Sequence, residues 1–265
     1  MRQASIGIFD SGFGGLTVMN AVQSLLPHEH IVYFGDTARL PYGNKSAETI
    51  VKYSLQNAQF LCTKGIKLLI IACHTVCTTA YEELQKQLPV PLIGVMNSSI
   101  KSLVQSANTG TCALLGTRRT IDSGVYQQMI QRALPKCEVT AISCPLFVPL
   151  VEEGYVDHPI SEVIIQEYLK PLKHKTVDGI LLGCTHYPLL QASIQKEVGT
   201  KTTLIDPAFC CAQEAKDFLE SQQLFRTELT RPHHTFYVSD DPEKFRLLGK
   251  QFLRHPMEHV FSVHL

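Results

Sequence analysis

The sequence predicts an α/β protein of two similar parallel-sheet domains, related by a pseudo-twofold repeat, with the active site in the cleft between them. Three observations carry this. Short continuous apolar runs alternate with segments of helical periodicity, as buried parallel strands and their crossover helices do. One phrase occurs twice: Leu69–Ile70–Ile71–Ala72–Cys73–His74–Thr75 is echoed by Ile180–Leu181–Leu182–Gly183–Cys184–Thr185–His186. Each copy continues into a helix-like stretch and returns to a second apolar strand.

The elements follow in order. Residues 6–9 read as a strand and 14–26 as a helix stopped by Pro27. A strand at 31–34 closes on Gly35–Asp36, and 47–64 forms a long helix with apolar positions at Ile50, Val51, Leu55, Ala58 and Leu61. The first Cys unit comprises a strand from Ile66 to Ile71, a helix over 78–88 and a strand at 91–95. Residues 112–117 open the second half as strand and turn, followed by a helix over 124–134 and a strand at 139–142. A loop through Pro145 and Pro149, a helix over 161–172 and the second Cys unit complete it, the last with a helix over 189–198 and a strand at 203–206. The first domain spans 1–95 and the second 96–207. The tail, with helical stretches at 208–222 and 242–253 and a strand at 235–238, is assigned with the first domain.

Composition narrows the function. The 265 residues are 45% apolar and carry no net charge, so nothing asks for nucleic acid or a membrane surface. Nine cysteines, an odd number, several of them inside apolar runs, suit a reducing cytoplasm rather than a disulfide framework. No apolar run is long enough to span a bilayer, and no secretory leader is evident at the start.

The chemistry gathers at strand ends. Cys73 and Cys184 each stand where a strand meets a helix, and ligands of parallel sheets bind at that edge. The start of a helix favours a thiolate, and each junction also carries an imidazole, His74 and His186. Two such thiols on opposite sides of one carbon suit stereoinversion. Asp10–Ser11–Gly12–Phe13–Gly14–Gly15 lies between a strand and a helix, and suits a carboxylate or ammonium group better than a phosphate. In Gly35–Asp36–Thr37–Ala38–Arg39–Leu40–Pro41–Tyr42–Gly43, Tyr42 is placed to close over a ligand and the amides near Gly43 to hold a carboxylate. Cys73, His74, Cys77, Cys184 and His186 offer metal-type donors, but Cys184-x-His186 is too tight for a structural zinc pattern, so no metal is expected.

Taken in order, Asp10–Ser11–Gly12-x-Gly14–Gly15, Gly35–Asp36-x-Ala38–Arg39-x-Pro41–Tyr42–Gly43, Cys73-x-Thr75, Gly116–Thr117-x-x-Thr120, Pro149–Leu150–Val151–Glu152 and Gly183–Cys184–Thr185–His186–Tyr187–Pro188 resemble the glutamate racemases. The resemblance implies two α/β domains around one cleft, no cofactor, and production of D-glutamate from L-glutamate for the bacterial cell wall, peptidoglycan. It implies that Cys73 and Cys184 exchange the α-proton, assisted by Asp10, Glu152 and His186. Substrate contacts carry over to Asp10, Ser11, Tyr42, Gly43, Thr75, Thr117, Thr120, Thr185 and His186, and His74 occupies a further contact position. The partner is the small-molecule substrate, with a homodimer left open. Aspartate or hydantoin racemisation is the alternative within the class, and a decayed racemase-like binding protein the alternative outside it.

Two positions depart from the family pattern. His74 stands where the family has Asn, and Met96–Asn97–Ser98–Ser99 replaces Glu–Pro–Gly in the linker between halves. His74 is expected to be neutral, because a helix start disfavours a second positive charge, and so to act as a bulky hydrogen-bond donor.

Overall fold

Parallel strands buried on both faces form the centre of each half. The computed structural model describes residues 2–106, 110–228, 230–253 and 256–265. The chain runs β1 (Ile6–Asp10), α1 (Leu16–Leu25), β2 (Ile31–Gly35), α2 (Ala47–Cys62), β3 (Leu68–Ile71), α3 (His74–Gln87) and β4 (Leu92–Gly94). It continues through α4 (Val95–Ser106), β5 (Thr111–Gly116), α5 (Arg118–Asp122), α6 (Val125–Ala133), β6 (Glu138–Ser143), α7 (Phe147–Glu152), α8 (Pro159–Leu169), β7 (Gly179–Gly183), α9 (Gln191–Val198) and β8 (Thr203–Ile205). The last elements are α10 (Pro207–Ser221), β9 (His234–Val238), α11 (Pro242–Gly249) and β10 (Val260–Ser262).

Two compact units result: Met1–Val95 with Ala208–Leu265, and Met96–Pro207. In the first, the strand order is β10-β9-β2-β1-β3-β4; in the second it is β6-β5-β7-β8, and every pairing is parallel. The strand sequence β2-β1-β3-β4 recurs as β6-β5-β7-β8, so the repeat read from the two Cys phrases is a repeat of topology. Strands β1, β2, β3 and β7 are buried at every position, which explains their unbroken apolar runs.

Several segments differ from the sequence reading. The linker through Met96–Asn97–Ser98–Ser99, given no element in the sequence reading, is the start of α4, which buries Val95, Met96, Ser99, Ile100 and Leu103 at helical spacing. The segment expected as a loop through Pro149 contains α7. Pro149 lies in that helix's first turn, where its missing N–H leaves no intrahelical bond unmade. Helix α3 begins at His74 rather than at residue 78, with Cys73 as its N-cap. Beyond β7 the chain first makes a 3-10 turn, Tyr187–Leu190, before α9. The tail adds a short edge strand, β10, that three residues of pattern do not reveal.

At the edge of the first sheet opposite the cysteine, a buried ion pair joins four chain segments. Lys67 Nζ lies 2.6 Å from Glu29 Oε2 and donates to the carbonyls of Arg2 and Leu224 at 2.9 and 2.8 Å. Glu29 also accepts the Arg226 amide at 2.8 Å. The ammonium thus meets one carboxylate and two carbonyls, which offsets part of the cost of burying the charge. Lys67→Met leaves the Glu29 carboxylate buried beside an apolar side chain. A urea melt should show a loss of about 3–5 kcal/mol, much of it recovered when Glu29→Leu is added.

Candidate active site

In the first unit the site is built at the C-terminal ends of β1, β2 and β3. Asp10 ends β1, is fully buried, and accepts the Gly12 amide at 2.9 Å through Oδ2. Residue 15 must be glycine for this turn to pack: a Cβ there would lie 2.5 Å from the Asp10 Cβ and 2.8 Å from the Tyr33 hydroxyl. Tyr33, beneath the turn, donates to the Gly12 carbonyl at 3.0 Å. Its phenol is held well above the ordinary range by burial, and then by the charges of Asp10 and Cys73, so it stays a neutral donor. Cys73 caps α3, and its Sγ donates to Ser11 Oγ at 3.4 Å. His74 and Thr75 follow in the first turn of α3, both buried.

Tyr42 is where the sequence expectation of a closing ring fails. The side chain is buried, and its hydroxyl donates to the Asp36 carboxylate and accepts from Asn57 Nδ2 at 3.1 Å. A ring held this way does not swing over a ligand. What Tyr42 and Gly43 offer is the backbone of their 3-10 turn, Tyr42–Asn44.

In the second unit the corresponding edge carries a linear chain of three groups. Cys184 directly follows β7, and its Sγ lies 3.8 Å from His186 Nδ1. The other ring nitrogen, Nε2, lies 3.0 Å from Glu152 Oε1. Glu152 thus touches the imidazole and not the thiol. It reaches there because α7 is pinned by Phe147, whose buried ring meets Tyr187 and Tyr168 edge-on at 5.1 and 5.3 Å. Helix α7 ends on Gly154 at φ 78°, a left-handed turn that glycine enters without strain.

Burial alone would lower the His186 pKa. The hydrogen bonds to Cys184 and Glu152 and the charges of those groups outweigh it, and the pKa is pushed up to about 10. The protonated ring is thus favoured while Cys184 and Glu152 carry negative charge. Thr117 caps α5, accepting the Thr120 amide at 3.3 Å, with the two hydroxyls 3.0 Å apart. Thr185 is buried between Cys184 and His186 in sequence.

Comparison with known proteins decides the family. Residues 14–215 match the Asp/Glu/Hydantoin racemase family. The chain belongs to that family. A glutamate racemase of Syntrophus aciditrophicus is 42% identical over 98% of this chain and 96% of its own length. The glutamate racemase of Francisella tularensis, solved in complex with D-glutamate, superposes with a TM-score of 0.93 at 38% identity, covering 99% of this chain and 98% of that one. That of Bacillus anthracis gives 0.95 at 31% identity, over 100% and 99% of the two chains.

Within this racemase chain, each predicted residue lies at the strand-end edge of its own sheet. Asp10, Ser11, Cys73, His74, Thr75 and the Tyr42–Gly43 turn belong to the first unit; Thr117, Thr120, Glu152, Cys184, Thr185 and His186 belong to the second. Two further groups escaped the sequence reading. Asp36 is a buried hub of hydrogen bonds, although it stood inside a quoted motif. Cys144 is a buried third thiol beside Cys184, its pKa raised by burial and then by the Cys184 charge. Among the described residues no group of three or more His, Cys, Asp or Glu side chains is arranged to hold a metal ion. No helix among them is long and apolar enough to cross a membrane.

At His74 burial, rather than the helix start, is what favours the neutral ring. Burial lowers its pKa to about 3. The sign for stability follows: with the unfolded value near 6.5 and the folded value near 3, stability is intact above pH 6.5, falls as pH drops from 6.5 towards 3, and levels off below that. His74→Asn removes that protonation. Between pH 7 and pH 4 the variant should lose about 3 kcal/mol less than the parent, read from urea melts at each pH.

Proposed function

We propose that this chain interconverts L- and D-glutamate without a cofactor, using Cys73 and Cys184 as paired bases on opposite faces of the α-carbon. The observation that carries the reading is the duplication itself: each cysteine ends the equivalent strand of its own sheet and keeps its own polar partner. Ser11 and the Asp10 turn serve Cys73; His186, held by Glu152, serves Cys184. The D-glutamate in the Francisella relative supports glutamate as substrate.

In the proposed cycle one cysteine, as thiolate, removes the α-proton of the bound enantiomer. The other, as thiol, delivers a proton to the opposite face, and the reverse reaction exchanges their roles. The α-hydrogen is far less acidic than any side chain, so a positioned base and a positioned acid must act on the same carbon. Glu152 fixes the orientation of the His186 ring through Nε2, which turns Nδ1 to the sulfur. An imidazolium there lies where negative charge forms as Cys184 gives up its proton. Asp10 assists Cys73 from the first unit differently, as a carboxylate that can take up a proton rather than as a positive charge. Ser11, the Tyr42–Gly43 backbone, His74 and Thr75 bind the substrate from one side; Thr117, Thr120, Thr185 and His186 bind it from the other. The product feeds peptidoglycan assembly in the cytoplasm.

The test is proton exchange in deuterated water, followed by NMR after dialysis against a chelator. The parent should invert L-glutamate with incorporation of deuterium at the α-carbon. Cys184→Ala should lose inversion by roughly three orders of magnitude or more. Cys73→Ser and Cys184→Ser should each keep exchange for one enantiomer, and not the same one. Near-parental inversion by Cys184→Ala, or activity that returns only with added metal, refutes the two-cysteine reading.

His74→Asn should lower KM for both enantiomers, because a neutral amide replaces a bulkier neutral donor, and should leave the shape of the pH–rate profile unchanged. A shifted acidic limb would mean that His74 is charged during turnover.

A further inference from the structure

We infer that Asp36 is a positioning residue for the substrate turn, and that the C-terminal segment, through Ser239, is part of the apparatus that holds it. The inference rests on the proposed role of the Tyr42–Gly43 backbone in binding.

Asp36 follows β2 at the same sheet edge as Asp10 and Cys73. It is fully buried, and four side chains converge on its carboxylate. Arg39 Nε donates to both oxygens, at 2.9 and 2.8 Å. Ser239 Oγ donates to Oδ1 at 2.8 Å, Asn57 Nδ2 to Oδ2 at 3.2 Å, and the Tyr42 hydroxyl to Oδ2. The Tyr42 phenol is raised far above its ordinary value by burial first and by Asp36 second, so it stays a donor. On the main-chain side, the Asp36 amide donates to the Asp10 carbonyl at 3.2 Å. Asp36 therefore connects the Asp10 turn directly to Tyr42.

The surrounding groups make that connection stiff. Arg39, already bound to Asp36, also donates to Gln56 at 2.5 Å and Asn57 at 2.8 Å on α2, and stacks over Tyr53 at 4.2 Å. Ser239 accepts the Ala38 amide at 2.9 Å while donating to Asp36. Next to it, Thr37 and Asp240 exchange two bonds, of 2.6 and 2.9 Å. The loop from 36 to 44 is thus tied to β1 on one side, α2 on another, and the end of β9 on a third. The Tyr42–Asn44 turn also packs on α3, the helix that Cys73 caps. A buried carboxylate with this many donors is well stabilised, and removing it strands a guanidinium, an amide and two hydroxyls at once.

If Asp36 positions the turn, weakening it should loosen substrate binding more than chemistry. The experiment compares Asp36→Asn, which keeps shape and one good acceptor, with Asp36→Ala and Ser239→Ala, measuring kcat, KM and Tm for racemisation of glutamate. Asp36→Ala should raise KM about tenfold or more with kcat within about threefold of the parent. Asp36→Asn should restore part of that loss. Ser239→Ala should raise KM by about threefold with Tm within about 2 °C of the parent, because Asp36 keeps its three other donors when this one hydroxyl is lost. Parental KM in Asp36→Asn alongside a lowered Tm would overturn the inference and leave Asp36 a purely structural group. If both Asp36 variants fail to fold, Ser239→Ala decides: a raised KM at parental Tm supports the inference and a parental KM overturns it. A parent chain that does not racemise glutamate refutes the proposed function instead, and is distinguished by the exchange assay on the unmodified protein.

Discussion

Everything in the site depends on where two parallel sheets change direction. In the first unit, the chain goes from β1 outward to β2, then crosses back to β3 on the other side of β1. The connections leaving β1 and β3 therefore part, and a crevice is left between those two strand ends. The second unit repeats the order with β5, β6 and β7. Asp10 and Cys73 stand at the first crevice, Thr117 and Cys184 at the second. A cysteine at such a point needs no special loop to be presented, because the end of a central strand presents it. The paired strands end just before each cysteine, at Ile71 and Gly183, and so fix the backbone from which it is presented.

The two crevices share a plan but not an electrostatic character. Cys73 faces a hydroxyl and lies near a carboxylate already held by a backbone amide, and its neighbouring histidine is forced neutral by burial. Cys184 faces an imidazole whose pKa is raised by Cys184 itself and by Glu152. Burial is almost the same for the two rings; it dominates at His74, whereas at His186 the hydrogen bonds and charges of Cys184 and Glu152 outweigh it.

Local pattern made the sheets legible, and local pattern was also where the reading stopped. The strands showed because burial on both faces leaves no polar residue to interrupt them, as in Ile180–Leu181–Leu182. The Cys pair showed because duplication repeats a phrase. Helix α7 did not show, because two prolines in its neighbourhood read as a loop, although a proline in the first turn costs a helix nothing in hydrogen bonds. The neutrality of His74 was anticipated from the helix start; its larger cause, full enclosure, is a tertiary property. The fate of the Tyr42 hydroxyl depends on Asp36, whose carboxylate is completed by Ser239, 203 residues further along the chain. No window along the sequence contains that pair.

The divided course of the first unit also orders events in time. Strand β2 keeps a bare pairing edge until residues 234–238 arrive to form β9 against it, and the Lys67–Glu29 pair awaits the Leu224 carbonyl and the Arg226 amide for its completion. Residues 96–207, by contrast, hold all four strands of their own sheet in one stretch. As the chain leaves the ribosome, the middle piece has everything it needs while the opening piece waits for the last fifty or so residues, roughly the span over which N-terminal-first folding is suspended. Until the tail closes the sheet, the apolar parallel edge of β2 is open, and unpaired edges of this kind are templates for other chains.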